Sequence, residues 1–404
     1  MTIDKEIVAQ MQREGLGYRA INQRLKSQGV KSSERQVRKA LQFLRDERRI
    51  TRKHDRNEHR AETAIELLHE GVVAALEKHG GELGKVKRRG GKLHPNKPVA
   101  VVHLSDHHLN ELIDLPANRF DFEVASQRLQ LLADKTRIYA RQAGCERIVI
   151  AFGGDLINSD RRMDEILSQA TNRSRAMVLA AHLYRLFVTD LRAEFFVDCF
   201  GITGNEGRAK TELAWGDPAV SDSYDASIYW MLKTVMEAAA PDDRGLRFHE
   251  LQGNEALFTV HGQTFLLLHG HQVNMGDQRR IQAIVGKHSV NSRTRVTHVI
   301  AGHIHSALVS DYCSRNSSLC GGNAYSDEGL NLASKASQNL HIVHSGKGKD
   351  ALPPGLDSIK VDLQDTSHVE GYPIAKELAV HDAKSLRKAQ QIRLNKSTKR
   401  VVVV

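Results

Sequence analysis

The chain has 404 residues, 40% of them hydrophobic and 26% charged, enough for two to three globular domains. No stretch approaches the roughly 18 apolar residues needed to cross a bilayer, and the opening MTIDKEIVAQ lacks the basic-then-apolar plan of a secretion signal; together these predict a cytoplasmic protein with no membrane partner. The net charge of +10 is unevenly placed: residues 1–98 hold 23 Lys+Arg against 13 Asp+Glu, residues 383–404 hold seven bases and no acid, and residues 99–382 hold 28 bases and 35 acids. An acidic globule between two basic arms predicts a polyanionic partner at its ends, with solvated charge on flexible termini as the alternative.

At the N-terminus, Ile7, Val8 and Met11 recur at helical spacing until Gly15 and Gly17 interrupt them. A second helix follows over Tyr18 to Ser27, with Ile21 and Leu25 four apart, and ends at Gly29. Ser32 and Ser33 can cap a third, in which Val37, Leu41 and Leu44 share a face. Three short helices with glycine turns predict a small all-α module over residues 1–60 resembling bacterial helix-turn-helix modules. Its third helix would present Arg35, Gln36, Arg38, Lys39 and Gln42, and Arg and Gln can pair bidentately with base edges. A structural bundle with a basic surface is the alternative. Residues 60–78 read as another amphipathic helix through Ile65, Leu68, Val72 and Leu76. The glycine- and lysine-rich stretch up to Pro98 reads as a flexible linker, so that residues 61–98 join the module to a larger domain beginning at Val99.

From Val99 onward, short apolar runs each end in a polar, often glycine-containing cluster. Val99–Leu104 leads to Ser105-Asp106-His107-His108, and Arg147–Phe152 leads to Gly153-Gly154-Asp155. Phe195–Thr203 leads to Gly204-Asn205-Glu206, Thr264–Leu268 to His269-Gly270-His271, and Thr297–Ala301 to Gly302-His303-Ile304-His305. Helical runs around 122–143 and 162–193 separate the first three. This is an α/β plan with polar groups on loops beyond the strand ends. The strand-rich later half favours a sandwich of two mixed β-sheets flanked by helices over residues 99–345. Residues 346–404 then form a C-terminal extension with a basic tail. The four cysteines, Cys145, Cys199, Cys313 and Cys320, form no CxxC pair and read as reduced thiols.

Aspartate, histidine and asparagine without cysteine make a mixed oxygen and nitrogen donor set, suited to Mn²⁺, Fe²⁺ or Zn²⁺ rather than to a thiolate-bound zinc. One such cluster would mean little, since DxH and HxH pairs arise by chance. Five in order, HLSDHH, GGD, TGNE, HGH and GHIH, each after a predicted strand, resemble the ordered motifs DxH, GD, GNH, H and GHxH of the calcineurin-like metallophosphoesterases. The resemblance covers roughly residues 99–345. It implies that Asp106, His108 and His305 bind one metal, that Asn205, His269 and His303 bind a second, and that Asp155 bridges them. His271 is the alternative to His269, and His107 is the variable middle residue of its motif. The implied cofactors are two divalent ions, Mn²⁺ first, with Fe²⁺, Zn²⁺ or Mg²⁺ as alternatives. The implied chemistry is two-metal phosphoester hydrolysis, in which closely spaced cations activate water and neutralise phosphate charge.

At one position the pattern departs: Glu206 stands where the family has a histidine that contacts phosphate and protonates the leaving oxygen. A glutamate does the same only if kept protonated; otherwise it repels the phosphate. The catalytic candidates are therefore Glu206, Asp155 and Asn205. Arg208 and Lys210 are candidates for substrate phosphate, with surface charge as the alternative reading, and Asn158 and Asp160 for support behind Asp155. The segment 321–343 is unusually polar for a strand region, and together with GNEGR it resembles a branch found in bacteriophages. The basic arms predict a nucleic-acid substrate, DNA first, similar to the repair exonuclease branch. The alternatives are a phosphatase or small-molecule phosphodiesterase, and a DNA-binding accessory protein with a weakened core.

Overall fold

The computed structural model describes residues 4–42, 44, 89–160, 165–166, 168–208, 222–273, 275–323, 326, 334–346 and 355–374. The helix expected over 60–78, Lys210 and the basic tail 383–404 lie outside the described residues. The chain divides into two compact units, Met1–Gly80 and Gly81–Val404.

In the first unit, helices α1 (Lys5–Arg13), α2 (Tyr18–Ser27) and α3 (residues 34–42) enclose a small core of Val8, Met11, Ile21, Leu25, Val37 and Ala40. Gly15 and Gly29 both have positive φ and close the two turns. Ser33 and Gln36 form a reciprocal capping box: the Gln36 amide N–H donates to Ser33 Oγ at 3.3 Å, and the Ser33 N–H donates to Gln36 Oε1 at 3.0 Å.

The second unit is a sandwich of two mixed sheets. The six-stranded sheet runs β13-β12-β1-β4-β5-β6, formed by Leu356–Asp362, Ser337–Val343, Val99–Leu104, Arg147–Phe152, Phe196–Gly201 and Leu246–Phe248. Its β1, β4, β5 and β6 are parallel neighbours, while β12 and β13 add antiparallel edges. The five-stranded sheet runs β10-β11-β9-β8-β7, formed by Leu308–Val309, Cys313–Arg315, His298–Ala301, Gln263–Leu268 and Glu255–Val260. A small hairpin pairs β2 (Ile113–Leu115) with β3 (Asn118–Phe120).

Strand alternation assigns the layers. Val99 and Val101 of β1 point between the sheets, where they join Val149, Phe258, Phe265, Leu267 and Ile300. Ala100, Val102 and Leu104 point to the opposite face, which is covered by α4 (Phe122–Gln142), α5 (Arg173–Arg192) and α6 (Tyr224–Ala239). Leu266, Leu268 and Val299 on the outer face of the second sheet meet α7 (Gln278–Ser292). The expected mixed two-sheet sandwich with flanking helices is therefore present, with both faces of β1 buried, as its apolar run, broken only by His103, requires.

Within the helical run expected over 162–193, residues 165 and 166 are helical, and α5 starts at Arg173, capped by the Asn172 side chain, which accepts from the Arg175 N–H at 3.0 Å. Between them the chain is held against the first loop, where the Ala170 N–H donates to Asn110 O at 2.8 Å and Gln169 bridges Glu111. Two boundaries differ from the sequence reading, at the linker and beyond residue 345. Residues 89–98, read as flexible linker, are fastened to the globule: Arg89 pairs with Glu146 at 3.0 Å, and the His94 N–H donates to the same carboxylate. The sheet also continues past residue 345, because β13 pairs along the whole of β12, and the chain to 374 packs on α4 and α5. All four cysteines are free and buried.

The polar strand β12 is wholly buried, and the reason is bonding rather than apolar content. The Gln338 amide donates to Ser105 O and to Ser317 O, both at 3.0 Å, and accepts from the Ser105 N–H at 2.9 Å. Its polarity thereby fixes the turn that carries Asp106.

Candidate metal centre

The five clusters leave β1, β4, β5, β8 and β9 at the same edge of the sandwich, because β1, β4 and β5 are parallel neighbours and β8 is parallel to β9. Two ligand groups result. Asp106, His108 and His305 converge in one, and Asp155, His269 and His303 in the other, with the donor atoms of each group within 4.8 Å of one another. His108 Nε2 lies 2.9 Å from His305 Nε2, which lies 3.3 Å from Asp106 Oδ1. His269 Nε2 lies 2.9 Å from Asp155 Oδ2 and 3.0 Å from Asn205 Oδ1. The groups adjoin, since His269 Nε2 is 4.0 Å from Asp106 Oδ1.

The backbone is bent to reach this arrangement. Among the described residues, eight non-glycine positions have positive φ, and five of them are Asp106, His108, Asp155, His303 and His305. Each costs on the order of 1–3 kcal/mol, and such strain concentrates at functional sites. Glycine is required beside them: a Cβ on Gly302 would collide with Asp106 Oδ2, and one on Gly204 would collide with Asp155 Oδ1.

The residues fit cations. Asp106 Oδ2 is buried without a hydrogen-bond partner, and two imidazole nitrogens converge face to face. Burial raises the pKa of Asp106, but the neighbouring His305 and His269 outweigh it and hold the carboxyl well below its usual range. Asp155 is likewise held low, against burial, by His269 and His108. Burial opposes charge on His108, yet the Glu206 carboxylate and Asp155 raise it to about 10. For His269, burial is outweighed by Asp155 and Asp106, and its pKa stands at about 9. The pocket thus has a negative potential that favours positive charge at these donors.

His269 Nδ1 is anchored on Gly153 O at 2.9 Å, which fixes the ring so that Nε2 faces the carboxylates. His271, the alternative, turns instead to Arg208, with Nη2 and Nε2 2.7 Å apart, so Arg208 lies at the rim of the second group. His107 points away from the ligands toward Tyr184 and Gln338. Asn158 and Asp160 both contact Arg173, Asn158 through its carbonyl and Asp160 as an ion pair at 3.2 Å.

Glu206 contacts the other side of His108: its Oε2 lies 3.3 Å from Nδ1, while Nε2 faces His305. Burial raises the Glu206 pKa, but His108 outweighs it and the net shift is downward. Among protein groups alone, the side chain is therefore an ionised carboxylate behind a ligand histidine.

Sequence reasoning missed Asp225. It lies in the first turn of α6 and accepts from the N–H groups of Asp155, Leu156 and Gly204 at 3.0, 2.9 and 2.8 Å. One buried carboxylate thereby ties together the loops carrying Asp155 and Asn205. Burial and the Asp155 charge raise its pKa to about 6. The only local signal was Ser223 as an N-cap with an acid after it, which marks a helix start but not a partner some 70 residues earlier in the chain.

On α3, Arg35, Gln36, Arg38, Lys39 and Gln42 are all exposed and Val37 and Ala40 are buried. Gln36 is engaged in the capping box, and Arg38 sits 4.0 Å from the Tyr18 ring centroid and donates to its hydroxyl at 2.6 Å.

No family model and no curated protein matches the chain. Among solved structures it is similar to vacuolar protein sorting 29 from Cryptosporidium parvum at 10% identity, covering 66% of this chain and 99% of that one, with a TM-score of 0.30. A calcineurin-like phosphoesterase, YfkN from Bacillus subtilis, matches at 10% identity over 75% of this chain and 99% of the other, with a TM-score of 0.31. A dimetal phosphatase from Danio rerio matches at 12% identity over 67% and 100%, with a TM-score of 0.29. At these identities and scores the functional assignment rests on the two ligand groups themselves.

Proposed function

We propose that the chain is a metal-dependent phosphodiester hydrolase of the calcineurin-like superfamily that acts on nucleic acid, with DNA as the leading substrate. The observation that carries the hydrolase reading is the pairing of two adjoining Asp/His groups, most of whose members adopt positive φ. Two divalent cations, Mn²⁺ first, fit the donor set, with Asp106, His108 and His305 holding one and Asp155, Asn205, His269 and His303 the other. Bound there, they would supply activation of water at neutral pH and neutralisation of phosphate charge.

The chain's own groups prepare this chemistry. Asp155 belongs to the second group, 2.9 Å from His269, and would bridge the two cations; its loop is pinned by Asp225. Arg208, which contacts His271, would meet a phosphate oxygen with a planar guanidinium. Glu206 holds His108 from behind, so that Nε2 is the nitrogen offered to a cation. The DNA assignment rests on charge: basic arms flank an acidic globule, and α3 presents Arg35 and Lys39. A phosphatase or small-molecule phosphodiesterase would use the same centre. An accessory protein with a structural core would have no need of a complete ligand set.

The deciding experiment is hydrolysis of labelled single- and double-stranded DNA with and without Mn²⁺, beside a nitrophenyl phosphodiester. Mn²⁺-dependent cleavage of DNA supports the nuclease reading. Cleavage of the small diester alone favours the phosphodiesterase, and cleavage of neither substrate overturns the phosphodiester hydrolase reading.

A further inference from the structure

A basic surface lies beside the metal centre, outside both basic arms. Between Gln278 and Ser310 the chain carries Arg279, Arg280, Lys287, Arg293 and Arg295 and no acidic residue, although residues 99–382 as a whole hold more acids than bases. All five cations are exposed. Arg280 pairs with Asp277 at 3.7 Å, and His288 pairs with Glu255 at 3.0 Å. Among the described residues, no acid lies within ion-pair distance of Arg279, Lys287, Arg293 or Arg295.

Helix α7 is held by one side only. Ile281 is its single buried residue, with Ile284 and Val285 packing partly beneath it. The opposite stripe, Arg279, Ala283, Gly286, Lys287 and Val290, faces water, and Val290 is 76% exposed. An exposed helix with so much of its surface turned outward, and with cations at both ends, is suited to a polyanion lying along it.

The helix also starts next to the site. His269 leads through Gly270 into a loop whose Met275 is buried, and a Cβ built on Gly270 would meet both Met275 Cγ and His303 Cβ at 3.3 Å. Arg315 Nη1 donates to Met275 O at 3.1 Å and holds the loop down. Asp277 then caps α7, accepting from the Arg279 N–H at 2.9 Å. Gly276 and Asp277 separate Met275 from Gln278, three chain steps with a reach of about 11 Å at most. The 15 residues of α7 then extend about 22 Å from that point, roughly six phosphate spacings along one DNA strand.

We infer that the outer face of α7 and the turn after it, residues 278–295, are a docking surface for the sugar-phosphate backbone of duplex DNA, leading one strand to the metal centre. This rests on the nuclease reading above. The contacts are to phosphates, so the surface contributes affinity and register but no sequence preference.

The test uses the full chain and the triple variant Arg279→Gln, Lys287→Gln, Arg295→Gln, all exposed positions; Arg293 is left intact because it ends the helix with positive φ. Duplex binding is measured across a salt series. Each lost phosphate contact lowers the log–log salt slope by about 0.9, so the variant should lose between two and three units of slope and at least about tenfold in affinity at low salt. Lysine at positions 279 and 295 should restore most of the slope. Metal content and cleavage of a nitrophenyl phosphodiester should stay at wild-type levels. Wild-type slope and affinity in the triple variant would overturn the inference while leaving the nuclease reading standing. A loss confined to single strands would overturn the duplex assignment. A wild-type chain that neither binds nor cleaves DNA would overturn both readings.

Discussion

Glu206 offers the sharpest perturbation of this centre. Its carboxylate lies 3.3 Å from His108 Nδ1. As a ligand through Nε2 the His108 ring is neutral, and its Nδ1–H donates to this carboxylate in a charge-assisted hydrogen bond worth about 1.5–3 kcal/mol. The side chain is 27% exposed, so solvent screens part of this. Removing a carboxylate that orients a ligand histidine typically lowers metal affinity about 10–100-fold, or about 1.4–2.7 kcal/mol. Glu206→Gln keeps an acceptor for Nδ1–H and loses only the charge, so it should sit near tenfold. Glu206→Ala loses both and should approach a hundredfold. The assay is Mn²⁺ titration by calorimetry, followed by hydrolysis of a nitrophenyl phosphodiester at saturating Mn²⁺. Because the carboxyl is ionised, Glu206→Gln should leave the saturated rate within a few-fold of wild type. Glu206→His should raise it, up to the roughly 10²–10⁴-fold that general acid help contributes, since an imidazolium attracts phosphate where a carboxylate repels it. If Glu206→Gln abolishes the saturated rate with unchanged metal affinity, and wild-type activity falls as pH rises through one ionisation, Glu206 is a protonated acid and the pairing with His108 is not its role.

Asp155→Ala should lose most of the bound metal, since that carboxylate belongs to the second group and would bridge both cations, and elemental analysis showing unchanged stoichiometry would remove it from the centre. Deleting residues 1–98 should weaken DNA affinity and flatten its salt dependence while leaving small-diester hydrolysis near wild type, because the ligands begin at Asp106; an unchanged salt slope would show that the module does not contact phosphate. Asp225→Ala should destabilise the fold by about 3 kcal/mol or more, as three buried N–H donors lose one acceptor at about 1–3 kcal/mol each, readable as a lowered urea midpoint. Burial lowers the His298 pKa from its ordinary 6.5 to about 4, so the unfolded chain binds a proton that the folded chain refuses between those values. Stability from this residue is intact above about pH 6.5 and falls toward about pH 4 by on the order of 3 kcal/mol; His298→Gln should flatten that part of the denaturation profile, and a profile as steep as wild type would assign the acid sensitivity elsewhere.

The chemistry of the centre was legible along the chain because each ligand belongs to a short local pattern, an apolar run followed by a turn with Asp, His or Asn. Strand alternation and the parallel order of β1, β4 and β5 then bring those turns to one edge without further information. The three N-terminal helices were legible for the same reason, through apolar spacing and capping serines. Other features depended on contacts between residues far apart in sequence. Nothing in the local pattern of SDSYDA says that Asp225 accepts from Asp155 and Gly204, or that Gln338 in a polar strand secures the Ser105 turn. Which nitrogen of His108 faces His305, and that Glu206 occupies the other, depends on ring placement in the folded chain. Positive φ at five ligand positions is likewise invisible in side-chain identity, since the surrounding packing imposes it. Residue type and order thus specify which donors exist, whereas the tertiary contacts decide which atoms of those donors meet and what charge each one carries.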